Sequence, residues 1–432
     1  MKLRNPVRRY LLPILWLEVS LVLVAATGIA WKGQAEHTLA VGGTPRDTLA
    51  FYTGATLLRR GEGAQLYDLQ LQHDVQQSLL SPLVREELQR EVSAHTLPFV
   101  SPPFVAVLFL PATLLPLAQA HVVWSAANWA LLLGLAALLL SWYRHWTRAE
   151  RLVAFAAFVS FAPAYYNVAQ GQVSLVLVVS VALGWELLRR GHGGSGGLVL
   201  AGLLLKPQYA AVLLLLLVLQ RNWRAVAGFA IGAAFLALSS LLIVGASGAT
   251  QYLHLMTSYL QLGSDYGVFP HLMTSWSGLI STLYRGRAVS EAGGLALGLW
   301  LGLDGVTLAI LGWLWHKPQQ TSQSAQGARY ALFIIGATLL SPHVNIQDLT
   351  WILLAGLLIW DYHRPNPRWA WVLFISYGAL TVLYPLYAVF PLHWNPPAIG
   401  VPTLALLGAS LAWSLQRHAG RLGAPAHLHT AL

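Results

Sequence analysis

"LALGLWLGLDGVTLAILGWLW", residues 295–315, contains one ionisable side chain, Asp304. A hydrocarbon core about 30 Å thick is crossed by roughly 20 helical residues, so this stretch has the length and composition of a membrane span. "YLLPILWLEVSLVLVAATGIA", residues 10–30, repeats the pattern with Glu18 as its single charge, and similar runs recur along the chain. The 432 residues are 56% hydrophobic and 10% charged, whereas a soluble domain carries about 25% charged residues. The fold class expected is an all-α integral membrane protein, with residues 1–432 forming one polytopic membrane domain.

The basic stretch "MKLRNPVRRY" precedes the first run, and Ala26, Gly28 and Ala30 lie near its end, as in a secretory signal peptide. An apolar core near 20 residues is long for such a peptide, so an uncleaved signal anchor is expected. The net charge of +10 comes from short interhelical clusters instead of one basic face, which argues against a nucleic-acid partner. Without cysteine, disulfides and thiolate metal sites are excluded, and redox chemistry does not indicate the compartment.

The basic clusters, among them "RHWTRAER" (144–151), "RRGH" (189–192), "QRNWR" (220–224) and "HRPNPR" (363–368), mark the cytoplasmic side. Fitting crossings between them predicts about 12 helices with both termini inside. Residues 102–116, "PPFVAVLFLPATLLP", break that parity if they cross. Their length and internal prolines instead predict a re-entrant or interfacial helix. Lys206 and Pro207 interrupt the apolar arms 197–206 and 208–219, predicting a broken helix or tight hairpin beside protein or a wet cavity.

Extracytoplasmic loops are then expected at 31–102, 246–291 and 388–398. The first holds eight of the sixteen acids and should be an organised unit with amphipathic, interfacial helices. Asp47 opens one of these. It could cap that helix, remain a solvated charge, or act as a base.

Five stretches narrow the choice: "RDTLAFYTGATLLRRGEGAQLYD" (46–68), "SPPFVAVLFLPATLLP" (101–116), "AQGQVSLVLVV" (169–179), "LLLKPQYAAVLLLLLVLQRNWRA" (203–225) and "LLSPHVNIQDLTWILLA" (339–355). Their order and spacing resemble the GT-C family of polyprenol-phosphate-mannose-dependent α-mannosyltransferases, over residues 10–415. The resemblance implies a GT-C fold and transfer of a sugar, mannose first among candidates, from a polyprenyl-phosphate carrier to a lipid or glycan acceptor. The reaction would occur at the extracytoplasmic face of the plasma (inner) membrane, with no cofactor.

The resemblance makes Asp47 the general base and His343 an active-site element. Lys206 is an ionisable residue within an apolar run, which is itself a functional signal; it is the leading cation for the carrier phosphate, unless it only snorkels to the interface. Arg46 is the second candidate, unless it pairs with its neighbouring acid. Tyr52, Gln170, Gln172 and Asp348 are assigned to substrate binding, with Asp348 alternatively orienting His343 or capping the next helix. Ser174 departs from the asparagine that the resemblance leads one to expect. Clustered metal ligands are not evident in the sequence. The competing readings are a transporter or lipid flippase, which leaves the first loop without a role, and a GT-C pentosyltransferase or glycan ligase.

Overall fold

The computed structural model describes residues 6–44, 46–91, 95–259, 262–316, 322–364, 366–389 and 397–422, and among them every regular element is helical. α1 (Pro6–Val41) carries the first apolar run without interruption. It extends past residue 31, so the expected outer segment begins about ten residues later than the sequence suggested, after Val41.

That segment folds as a unit containing α2 (Thr48–Arg59), α3 (Leu69–Leu79) and α4 (Pro82–Glu91). α2 buries Leu49, Phe51, Tyr52, Ala55 and Leu57. Phe51 stacks on Phe109 at 4.7 Å and meets Phe99 edge-on at 6.4 Å. Gly54 permits this approach, because a Cβ there would lie 2.8 Å from the Phe99 ring. On α3, Gln72 and Gln76 sit one turn apart and bind extended backbone. Gln72 accepts from Phe99 N at 2.7 Å, while Gln76 accepts from Leu97 N at 3.0 Å and donates to Leu97 O at 2.7 Å. These amides satisfy backbone groups that have no strand partner.

Residues 102–116 divide into α5 (Pro103–Leu108) and a 3-10 turn over Leu110–Leu114 containing Pro111. Six α-helical residues rise only about 9 Å; the segment does not cross as one continuous helix. α6 (Leu117–Trp142) follows, then α7 (Arg148–Val159) and α8 (Ala162–Gln170), bent by 40°. α9 (Ser174–Arg189) leads to α10 (Gly193–Leu200), which tightens into a 3-10 turn ending at Leu205. α11 (Pro207–Leu219) restarts after Lys206, with proline in its first turn. The break expected at Lys206–Pro207 is present.

α12 (Trp223–Ser258) packs backbone to backbone on α10. A Cβ at Gly197 would lie 1.8 Å from Ala225 O, and one at Gly228 would lie 2.0 Å from Gly194 O. Small residues permit such approach where no hydrophobic force from water drives helices together. α12 bends at Gly245, with φ 66° and ψ −177°, and then continues. Residues 246–258 are therefore helical, correcting the loop expected from 246.

α13 (Trp276–Leu283), α14 (Gly294–His316) and α15 (Gln323–Leu340) come next. A 3-10 turn (Ile346–Trp351) introduces α16 (Ile352–His363), followed by α17 (Pro367–Val389) and α18 (Pro397–Leu422). α15 is buried from Gly327 to Leu339, as befits a helix apolar on every side. By contrast, α12 exposes Ile231, Phe235 and Leu242, and α14 exposes Leu295, Leu301 and Val306; these faces suit lipid contact.

Among the described residues, five helices are long and apolar enough to cross a membrane, or six if the bent α7–α8 pair counts as one span. This is fewer than the expected crossings because several intervening segments are short or broken. α9 has 16 residues and α11 has 13, below the roughly 20 of a full span. The loop expected at 388–398 falls largely outside the described residues.

Candidate active site

Asp47 stands at the N-cap position of α2 but does not cap it. Its backbone is already helical (φ −56°, ψ −24°), and its side chain makes no capping hydrogen bond. Oδ2 instead accepts from Gln172 Nε2 at 2.6 Å.

The position of Gln172 follows from the end of α8. Gly171 turns left-handed at φ 67°, letting Gln172 N donate back to Asn167 O at 2.9 Å. Thr48 lies against this turn. A Cβ at Gly171 would come within 1.8 Å of Thr48 Oγ1, so glycine is required for both geometry and contact.

Thr48 belongs to a chain of polar contacts. Gln34 Nε2 donates to Ala169 O at 2.7 Å and lies 3.3 Å from His121 Nε2; His121 Nδ1 lies 2.8 Å from Thr48 Oγ1; Thr48 Oγ1 donates to Gln170 O at 3.3 Å. One proton assignment satisfies all of them: Nε2 accepts from Gln34, and Nδ1–H donates to Thr48. α1, α2, α6 and α8 are thereby tied together directly behind Asp47.

Beside this array lies Asp348, 3% exposed on the turn before α16. Its Oδ1 accepts from Ser174 Oγ at 2.8 Å and is ion-paired with Lys206 Nζ, while Oδ2 accepts from Asn345 N at 3.1 Å. Burial alone would raise this carboxyl; the Lys206 charge and hydrogen bond, with Ser174, hold it below its ordinary range. Lys206 occurs where the 3-10 turn ends and α11 has not begun, with extended backbone at φ −136° and ψ 85°. A buried pair needs such additional hydrogen bonds to offset desolvation.

His343 completes the group. Its backbone carbonyl accepts from Ser341 Oγ at 3.0 Å, and its ring meets Tyr259 edge-on at 5.0 Å. Asn345 Nδ2 lies 3.3 Å from Nε2, whereas the buried Nδ1 has no protein partner. Burial pulls the imidazole down to about 4, with nearby Asp348 opposing that shift and Lys206 reinforcing it. His343 is neutral at pH 7.

Asp47 is partly exposed, yet protein surrounds it closely enough that burial raises its carboxyl above the usual range. The Gln172 bond, then Lys206 and Arg46, partly offset this, and Asp348 adds to it. Gln172 Oε1 is also buried without a protein partner. The arrangement presents a carboxylate of increased basicity, a lysine at a chain break, a neutral imidazole, and two unsatisfied polar atoms.

The structure thus gathers Asp47, Gln172, Lys206, His343 and Asp348, with the Arg46 charge acting on Asp47. Gln170 contributes a backbone carbonyl to Thr48. Tyr52 lies elsewhere: it is buried, and its hydroxyl donates to Leu115 O at 2.9 Å. Gln34, His121, Asn345 and Tyr259 were not singled out in the sequence. The usable signal was His121, an ionisable side chain inside the apolar run of α6. Among the described residues, no group of three or more His, Cys, Asp or Glu side chains could hold a metal ion.

Residues 99–342 match the family model described as Glycosyltransferase family 87, covering Gln172 and Lys206 but not Asp47, His343 or Asp348. A curated relative from Mycolicibacterium smegmatis, a polyprenol-phosphate-mannose-dependent alpha-(1-2)-phosphatidylinositol pentamannoside mannosyltransferase, is 28% identical over 332 residues, covering 72% of this chain and 76% of its own. No solved structure matches the chain. With the family match spanning more than half of its length, the chain belongs to glycosyltransferase family 87 and is a membrane glycosyltransferase.

Proposed function

We propose that the protein transfers mannose from a polyprenyl-phosphate carrier to a hydroxyl of a lipid-linked glycan, with Asp47 as general base. The observation carrying this reading is the juxtaposition of Asp47 with the buried Lys206–Asp348 pair. A base for the acceptor and a cation for the departing phosphate are the two charges required by the reaction, and the named relative uses this donor class.

The acceptor oxygen attacks the anomeric carbon as the sugar C1–O bond to phosphate breaks. Asp47 takes the hydroxyl proton, and the electron pair leaves on the polyprenyl phosphate. A general base contributes about 10²–10⁴-fold. Lys206, assisted by Arg46, stabilises charge on the phosphate. His343, neutral with Nδ1–H unpartnered, supplies a hydrogen bond to a donor or acceptor oxygen. Gln172 aligns Asp47 and offers Oε1 to a sugar hydroxyl, while Asp348 positions Lys206. Gln170 lies beside that contact.

The Asp47 end is assigned to the extracytoplasmic side of the plasma membrane. At the opposite helix ends, residues 143–151, 186–192, 220–224 and 361–368 hold nine arginines against Glu150, Glu186 and Asp361, the asymmetry expected of a cytoplasmic surface. On this reading the short and broken helices complete about 12 passes. The test is transfer by purified protein supplied with polyprenyl-phosphate mannose, the pentose analogue and a glycolipid acceptor. Mannosylated product supports the proposal; pentose transfer alone or donor translocation without product overturns it.

A further inference from the structure

Far from Asp47, the ends of α6 and α9 frame a second site. α6 begins beside the active site, where Trp124 Nε1 donates to Gly171 O at 2.8 Å, and α9 begins at Ser174, bonded to Asp348. They run 26 and 16 residues. At 1.5 Å per residue, their other ends lie about 24 Å or more along the helix axes. A cavity of about 550 Å³ lies there, lined by Ser141, Trp142, Arg144, His145, Arg189 and Arg190.

The local acids do not neutralise this lining. Glu186 pairs with Arg189 and Arg190, the latter at 2.5 Å, while Asp361 pairs with His145 at 2.8 Å and accepts from Trp146 at 3.0 Å. Three guanidinium groups and an imidazole thus face two carboxylates. Arg189 also balances the partial negative charge at the end of α9. Arg144 is exposed and makes no hydrogen bond or ion pair among the described residues, and the Arg190 side chain is 59% exposed. Their planar donor arrays match phosphate oxygens.

The setting identifies the source of that phosphate. Leu133 and Leu138 are exposed on α6 below the cavity, and Trp142 lies at the end of this apolar span, a usual place for an aromatic ring at a membrane interface. The pocket therefore opens where lipid-facing surface meets a basic rim. We propose that it seats the phosphate head group of an acidic membrane phospholipid in the leaflet opposite the Asp47 site. Basic pockets between membrane helices recognise lipid head groups by this chemistry. None of its lining residues belongs to the proposed transfer machinery.

The test compares full-length wild type with Arg144→Gln/Arg190→Gln, both purified in mild detergent. Retention of phosphatidylglycerol, phosphatidylcholine and inorganic phosphate is measured by native mass spectrometry and shift in Tm. Wild type should retain phosphatidylglycerol preferentially, and the double variant should lose that preference, by roughly fivefold for each arginine removed. Equal Tm in lipid-free detergent and unchanged sugar transfer show that the variant is folded. Equal retention of acidic and zwitterionic lipid, unchanged preference in the variant, or inorganic phosphate binding as tightly as phosphatidylglycerol would overturn the assignment.

Discussion

Gln172 Nε2 donates to Asp47 Oδ2 at 2.6 Å across 125 positions of sequence. Their relationship converts an apparent helix cap into a held, inward-facing carboxylate. Because Asp47 makes no capping bond, its ionisation is available to chemistry and its loss should have little direct effect on the start of α2.

Asp47→Asn should therefore remain folded while sugar transfer falls about 10²–10⁴-fold. Burial raises the Asp47 pKa above the ordinary 3.8, so folding disfavours its charged form. This contribution makes the fold less stable as pH rises from 3.8 through the raised value; above that window the asparagine should equal or exceed wild type in Tm. Transfer assays and thermal melts at pH 7 provide the check, and a folded asparagine variant with wild-type turnover would remove Asp47 as the base.

The same bond predicts a pH effect. Gln172 lowers the Asp47 pKa against the larger effect of burial, so Gln172→Ala should raise it further. The base must be deprotonated, and the acidic limb of kcat/KM should therefore move to higher pH, with activity recovering towards alkaline pH. An unshifted limb with uniformly lower activity would mean that Gln172 binds substrate without tuning Asp47.

The membrane class and the chain break at Lys206 were legible in sequence because apolar length and proline act locally. Partnerships were not. Nothing near Lys206 in sequence identifies Asp348, 142 positions away, as its ion-pair partner. Tyr52 lies at helical spacing from Leu49, but spacing does not specify which neighbour meets each face, and packing directs its hydroxyl to Leu115. The continuation of α12 beyond Gly245 was hidden because a glycine following an apolar run reads in sequence as the end of a helix.

Removing Lys206 should expose a distinction between structure and donor binding. Lys206→Ala leaves Asp348 buried without its cation, a change that typically costs about 3–5 kcal/mol. Lys206→Ala/Asp348→Asn should recover much of that stability. It should still use donor poorly, because no charge opposes the phosphate, whereas Lys206→Arg retains the charge in another shape. Tm and donor KM measured for all three variants separate these effects; wild-type donor KM in the double variant would show that Lys206 serves the fold alone.

Gly171 offers a test of positioning without altering any proposed reacting group. Alanine there would be strained at φ 67° and would place Cβ 1.8 Å from Thr48 Oγ1. Thr48 is adjacent to Asp47 and is tied through His121 to Gln34, so relief of the clash should displace the α2 start from the Gln172 turn. Misplacement by about 1 Å can reduce turnover on the order of 100-fold, and Gly171→Ala should show that loss mainly in kcat. Thr48→Ala removes the obstructing oxygen; the double variant Gly171→Ala/Thr48→Ala should therefore be more active than the sum of the single effects predicts. Strain at residue 171 would remain, keeping Tm below wild type. Additive losses in kcat would show that contact between residues 48 and 171 does not set the position of Asp47.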